Sequence, residues 1–474
     1  MLSTLCSVLL PLIGRVELSG FILIVFFACF FAVLAFEFVN GFHDTANAVA
    51  TVIYTKTLKP YPAIIWSGLW NFLGVFVIGI AVAMSLLKLV PLDKLITLPV
   101  QVGASLVISI LLSSIIWNLG TWYLGIPLSS SHTLIGAMVG GAIAFTHYYG
   151  GAGVNWDKAK EIALSLLISP LIGFIGALLL MELEKKAIKS KELFHVPEGD
   201  NDKPPTPIRV LLVTTCMLVS FFHGSNDGQK GVGLMMLVLI TFLPAAFALN
   251  PAVPDTQIMA TIHHVEKTLP EIIRSDPEDK KASLQIKTLI EQVKPAIKGR
   301  KDKDKLQKFA LKRQLQKLNR AIKTFVEKKH SKLPEPIKES LKADYKSLEK
   351  ATDFAPVWVL AAISLSLGLG TMIGWKRIVV TIGEKIGNQR LNYAQGATAE
   401  IVAAATIGLS TWLGLPVSTT HVLSSGVAGA MVASGGTKNL NKSTLKNILF
   451  AWVLTLPAAM LLAFLLFMLL HLLL

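Results

Sequence analysis

Cysteine is nearly absent from this 474-residue chain: Cys6, Cys29 and Cys216 stand apart in apolar stretches, at no spacing that would hold a metal or work as a redox pair. They read as packing or lipid-facing side chains. Charge is scarce as well. Asp, Glu, Lys and Arg make up 16% of the residues against 53% hydrophobic ones, and the mean hydropathy is +0.58. A soluble protein carries about 25% charged residues, so the chain as a whole is too apolar to be one. The first fourteen residues are apolar but lack a basic n-region and a convincing cleavage site, so a cleaved signal peptide is not expected. Acidic residues are fewer than basic ones, 30 against 45, for a net +15. The stretch 250–354 alone holds 24 of the basic and 15 of the acidic residues, a net +9, which leaves +6 for everything else. That distribution fits the positive-inside bias and anionic lipid surfaces, and it argues against a nucleic-acid groove.

What the chain has in abundance is apolar runs of bilayer-spanning length. The runs at 20–43, 62–88, 101–124, 160–183, 208–223, 355–375, 392–413 and 445–473 read as membrane helices, with shorter apolar pieces at 46–58 and 231–249. The fold class is therefore all-α and polytopic. Gly125-Ile126-Pro127-Leu128-Ser129-Ser130-Ser131-His132 places a proline and a hydroxyl cluster at a helix start, and Gly136, Gly140 and Gly141 permit close helix approach. The spacing predicts a re-entrant helical hairpin over 126–146. Residues 250–354 leave the membrane. Their charged patterning, punctuated by Leu306, Phe309, Ala310, Leu315 and Leu318, suits solvated amphipathic helices, with a disordered tether as the alternative.

Two kinds of polar interruption occur twice. Phe42-His43-Asp44-Thr45-Ala46-Asn47 returns as His223-Gly224-Ser225-Asn226-Asp227-Gly228-Gln229-Lys230, with Asp227 183 positions after Asp44. Pro127, Ser129 and His132 are matched by Pro416, Ser418 and His421, each 289 positions on. The two offsets differ by about the length of 250–354. The chain thus reads as one repeat at 20–184, a second at 208–249 with 355–474, and a charged helical insertion between. Paired halves with interrupted apolar segments at corresponding places mark a secondary transporter whose site lies near midplane between them.

These four motifs, in this order, resemble the paired signatures of the PiT family of inorganic phosphate transporters, in particular its bacterial low-affinity permeases. The resemblance covers nearly the whole chain outside 250–354. It implies symport of inorganic phosphate with a cation, two inverted repeats with broken helices and re-entrant hairpins, a homodimer, and a multi-pass place in a bacterial inner membrane. It implies neither an enzyme nor a cofactor beyond the coupling cation. Phe42-His43 and Gln229-Lys230 each stand where the family's usual motif has Ala-Asn. Both departures resemble the proton-coupled branch and leave sodium coupling open, in which case Asp44 and Asp227 are the metal candidates.

A phosphate crossing a membrane exchanges its water for fixed donors, which helix N-termini and hydroxyls supply. Ser129, Ser130, Ser131, Ser418, Thr419 and Thr420 stand at the two predicted helix starts, where capping is the competing role. Asn47, Asn226 and Gln229 add neutral partners. Lys230 either neutralises Asp227 or attracts the anion. A carboxylate is costly at membrane depth, by about 2.5–3.5 kcal/mol, so Asp44 and Asp227 read as carriers of a cation or proton. They also favour phosphate, which keeps a proton at neutral pH, over sulfate, which keeps none. His43 and Glu37 complete the coupling candidates. His132, His223 and His421 titrate in a useful range, and Glu400 is a further intramembrane acid.

The same residues also fit other classes: a sodium-coupled phosphate or sulfate transporter, transport of a metal–phosphate complex, and a phosphate sensor signalling through 250–354. A hydrolase fits poorly, because Ser131-His132 and Thr420-His421 are adjacent and point about 100° apart on a helix.

Overall fold

A computed structural model describes residues 18, 20–126, 128–198, 202–275, 280–327, 333–373, 379 and 386–473, with the side chains of 45–47, 271–275, 280 and 301 left aside. Asn47, which the sequence places among the ligands, lies outside that description, as do Pro127 and the first fourteen residues. Among the described residues all regular structure is helical, apart from one bridge between Gly387 and Leu440. The helices are α1 (Gly20–Tyr54), α2 (Pro60–Val77), α3 (Ala81–Leu87), α4 (Val100–Tyr123), α5 (Ser130–Tyr149), α6 (Trp156–Ala187) and α7 (Thr206–Phe242). Next come α8 (Asp255–Ser275), α9 (Lys280–Ile297), α10 (Lys305–Val326) and α11 (Glu335–Thr352). The chain closes with α12 (Val357–Thr371), α13 (Tyr393–Trp412), α14 (Thr419–Gly435) and α15 (Lys442–Leu473), joined by short helical turns.

These helices fall into two compact units, one built from 19–94, 100–238 and 356–474, the other chiefly from 239–355. In the larger unit α1, α4, α6, α7 and α15 are each long and apolar enough to cross a membrane, and α2 with α3 forms a further apolar pair bent by 73°. At 35 residues α1 is about 52 Å long, well beyond the roughly 30 Å of a hydrocarbon core.

Two sequence expectations change here. The acidic motifs do not interrupt their helices: α1 runs through Asp44 and α7 through Asp227. Neither motif contains proline, and an unbroken helix keeps its backbone groups paired where no water can pair them. The breaks fall instead between α2 and α3 and in the extended lead-ins to α5 and α14. The stretch expected to be a hairpin over 126–146 is one helix, α5, entered through extended Ser129.

Helix pairing in the larger unit is reciprocal. α1 of the first half crosses α12 of the second so closely that a Cβ on Gly41 would sit 2.3 Å from the Leu367 carbonyl oxygen. α7 of the second half crosses α2 of the first in the same way, Gly224 against the Asn71 carbonyl at 2.1 Å. Likewise α5 packs on α15 and α14 packs on α6. Only glycine allows backbones to approach this far, and small residues are what membrane helix contacts favour. Cys29 and Cys216 are buried and unpaired with each other, as expected of packing side chains.

The smaller unit has its own core. Ile258, Ile262, Val265 and Leu269 on α8, Ile286, Ile290, Val293 and Ile297 on α9, and Leu311, Leu315, Leu318 and Ile322 on α10 repeat at helical spacing and are buried together. Leu341, Tyr345 and Leu348 complete it from α11, and each helix packs on the next with α8 closing on α11. An Asp304–Gln307 capping box starts α10. Phe309, Leu315 and Leu318 are buried as their spacing implies, whereas Leu306 and Ala310 face outward. The described part of this segment is thus folded helix rather than tether.

A Cβ at Gly140 would lie 2.0 Å from the Met460 carbonyl oxygen, whereas nothing lies within 4 Å of one at Gly120. Gly140→Ala should therefore destabilise the α5–α15 crossing by about 1–3 kcal/mol. Gly120→Ala should be neutral or stabilising, as a helical Gly→Ala change gains up to about 1 kcal/mol. Thermal unfolding of the two variants in detergent, followed by tryptophan fluorescence, checks this; equal midpoints would refute the close-packing account.

Candidate functional site

Both hydroxyl clusters begin helices. Ser129 and Ser418 have extended backbones, with φ and ψ of −98° and 112°, and −93° and 102°. Each accepts a hydrogen bond from the N–H three residues on, His132 at 3.2 Å and His421 at 3.1 Å. Both are N-caps, so the bland role expected of hydroxyls here is the one these two oxygens perform. Their caps aim the next two residues inward and bring the His132 and His421 rings to 4.5 Å.

The acidic motifs meet those helix starts at a single point. The Ser130 hydroxyl lies 3.0 Å from Asp44 Oδ2 and 3.3 Å from Asp227 Oδ2. Thr420 donates to Asp44 Oδ1 at 2.6 Å. All four motifs therefore converge, and Asp44 and Asp227 are fully buried. A hydroxyl has one proton and cannot donate to both carboxylates at once. The remaining negative charge is met by Lys230, whose Nζ is 2.7 Å from Asp227 Oδ2 and also donates to the Ser131 hydroxyl. Ser131 in turn donates to the Val417 carbonyl at 2.6 Å. Of the two roles open to Lys230, neutralising Asp227 is the one this arrangement exhibits.

His223 stands where the two acids face each other. Its Nε2 is 3.7 Å from Asp44 Oδ2 and 3.6 Å from Asp227 Oδ2. Its Nδ1 is 2.7 Å from Asn71 Oδ1, and the Asn71 amide donates to Thr371 at 3.2 Å and Ser67 at 3.4 Å. That network assigns the Nδ1 proton to Asn71 and turns Nε2 toward the acids. One ligand atom from each of Asp44, His223 and Asp227 falls within 4.8 Å of the others, a grouping able to hold a cation. His43 is also buried, with Nδ1 3.6 Å from Asp44 Oδ1.

Other expected ligands have structural partners. Asn226 donates to Thr411 and to the Leu415 carbonyl and accepts from the Val417 N–H, so it fixes the extended lead-in to α14. Gln229 accepts from the Val82 N–H at 2.8 Å, at the start of α3, and donates to the Ser225 carbonyl at 2.7 Å. Thr419 is buried beside Thr420. Glu37 does not reach the acids: it lies two turns, about 10 Å, along α1 from Asp44, against Gly231. Asn71 was legible as a lone amide inside an apolar span, a signal that buried polar residues in membranes generally carry. Its pairing with His223 was not.

Fold and site together define a class: a multi-pass membrane protein with an acid- and hydroxyl-lined centre closed between reciprocally packed helices. The profile of the phosphate transporter family matches residues 40–463. The chain is 39% identical over 469 residues to the low-affinity inorganic phosphate transporter PitB of Escherichia coli (strain K12), covering 91% of this chain and 93% of that one. It is 41% identical over 469 residues to the low-affinity inorganic phosphate transporter of Buchnera aphidicola subsp. Acyrthosiphon pisum (strain APS), covering 93% and 95%. With a probable low-affinity inorganic phosphate transporter of Bacillus subtilis (strain 168) it shares 31% over 425 residues, 90% of each chain. A solved structure described as the sodium-dependent phosphate transporter shares the fold, with a TM-score of 0.56 at 20% identity over 95% of this chain and all of that one. This chain belongs to the phosphate transporter family.

Asn71→Ala should leave the buried His223 Nδ1–H without its acceptor and cost about 1–3 kcal/mol of stability. Thermal unfolding measures it, and a midpoint equal to the unsubstituted protein's would show that Asn71 does not hold the ring.

Proposed function

We propose that this protein is a secondary active symporter that carries inorganic phosphate across the membrane together with a cation, H⁺ in the first instance. The observation that carries this reading is the convergence of Asp44, Ser130, Asp227 and Thr420 at the start of two helices. The names of its relatives support phosphate as cargo.

In this reading the N-termini of α5 and α14 supply partial positive charge toward the anion, and Ser130, Ser131, Thr419 and Thr420 supply neutral donors. Ser130 and Thr420 turn from the carboxylates to the phosphate oxygens on loading. Lys230, released from Asp227, balances part of the incoming charge. A protonated phosphate oxygen donates to Asp44 or Asp227, which sulfate cannot do, so the acids select as well as couple. Asp44, Asp227 and Glu37 are the coupling carboxyls, with His43 alongside, and Asp44, Asp227 and His223 are the locus for a metal cation. Sodium is the second reading, favoured by the clustering of those three ligand atoms. The two halves are inverted repeats that rock about the fixed site, residues 250–354 are an extramembrane insertion, and the protein is a homodimer in a bacterial inner membrane.

Uptake of radiolabelled phosphate into proteoliposomes tests the proposal. Accumulation should follow an imposed proton gradient, and Asp44→Asn and Asp227→Asn should abolish it. Accumulation that follows sodium alone would replace the coupling ion. Uptake indifferent to both gradients would remove symport, and no uptake by the unsubstituted protein would remove the function itself.

A further inference from the structure

We propose that Glu37, one tier away from the phosphate site, is the carboxyl that carries the transported proton; this deepens the symport reading above and rests on it. α1 and α7 run antiparallel past each other, and three levels of contact mark their course. Glu37 meets Gly231, Asp44 meets His223 and Asp227, and Thr51 with Thr215 meets Glu400 of α13. Residues 37, 44 and 51 recur every two turns, so they form one stripe along α1. The stripe carries an acid above the binding tier and an acid contact below it.

The two outer acids differ in how they are held. Thr51 donates to Glu400 Oε1 and Thr215 to Oε2, so both oxygens of Glu400 are engaged and the side chain ties α13 to α1 and α7. Glu37 is fully buried too, yet Oε1 has no hydrogen-bond partner among the described residues, and Oε2 has one long bond, 3.4 Å from Asn40 Nδ2. Its carboxyl lies in the space that a side chain at position 231 would fill, 2.5 Å from Oε1 to an ideal Cβ there. A proton is a partner small enough for that cradle, and a buried carboxyl without one is costly. Binding forms the O–H bond of the acid on one side of the membrane. Release breaks it on the other, with water as donor and acceptor.

The surroundings supply coupling without contact. On α7 the charged or titratable groups toward Glu37 are Lys230, Asp227 and His223, and on α1 itself His43 and Asp44. The helices α2, α4 and α12, which pack on α1, contain no Asp, Glu, Lys, Arg or His, while α13 and α14 offer only Glu400 and His421. Gly231 follows Lys230, whose ammonium is held by Asp227 and Ser131. When Lys230 leaves Asp227 for a bound anion, the charge that this turn of α7 presents beside Glu37 changes with it. Phosphate and proton then occupy separate sites that share one helical turn.

The test uses the full chain in proteoliposomes and compares net phosphate uptake driven by a proton gradient with phosphate–phosphate counterflow at equal pH on both sides. Glu37→Gln should lose gradient-driven uptake and the accompanying internal acidification, down to the no-gradient control, while counterflow continues. Glu37→Asp should restore part of the driven uptake. Driven uptake retained by Glu37→Gln would overturn the proposal. So would loss of counterflow in Glu37→Gln, because it would make Glu37 part of the phosphate site or the fold. If the unsubstituted protein shows neither activity, it is the transport reading that fails.

Discussion

Two carboxylates share one hydroxyl at membrane depth, and the rest of the site follows from keeping them there. Asp44 and Asp227 repel each other in surroundings that offer no water. Each neighbour reduces that cost in its own way: Ser130 and Thr420 by donating hydrogen bonds, and Lys230 by opposite charge. The N-termini of α5 and α14 add fixed dipoles that need no counterion of their own.

Precision at that centre depends on close backbone contact elsewhere. The crossings of α1 with α12 and of α2 with α7 place carbonyl oxygens where any side chain larger than hydrogen would intrude. Asn71, which orients His223, sits within the second of these crossings, so packing and proton geometry are set by the same turn of α2. Asn226 and Gln229 act on the same principle. They hold the extended lead-in of α14 and the start of α3, the places where the backbone leaves helical geometry and needs side-chain partners.

The smaller unit obeys different physics. Its helices are polar overall and become stable only by turning one apolar stripe each toward a common core, with charge left on the outside. The larger unit reverses this pattern: its outward faces carry Leu167, Leu171, Phe450 and Val453, and its interior holds the acids and hydroxyls.

Much of this was legible in the residues. Apolar run length marked the membrane helices, and the doubled Asp and Pro-hydroxyl-His motifs marked the site, because a charged or strongly polar group inside such a run must have a partner. Local readings failed where the choice depended on neighbours. The absence of proline in 41–47 permits the helix to continue, but that α12 crosses it at Gly41 is seen only in the fold. Nothing in Asn226 or Gln229 distinguishes a ligand from a backbone anchor. Composition and periodicity alone thus determined the helical membrane class, the duplicated motifs and the residue types at the centre, because burial in lipid constrains residue type directly. Which hydroxyls cap and which face the acids, and that Asn71 orients His223, was decided only in three dimensions, because hydrogen bonds between residues 86 to 376 positions apart exist only once the helices have met.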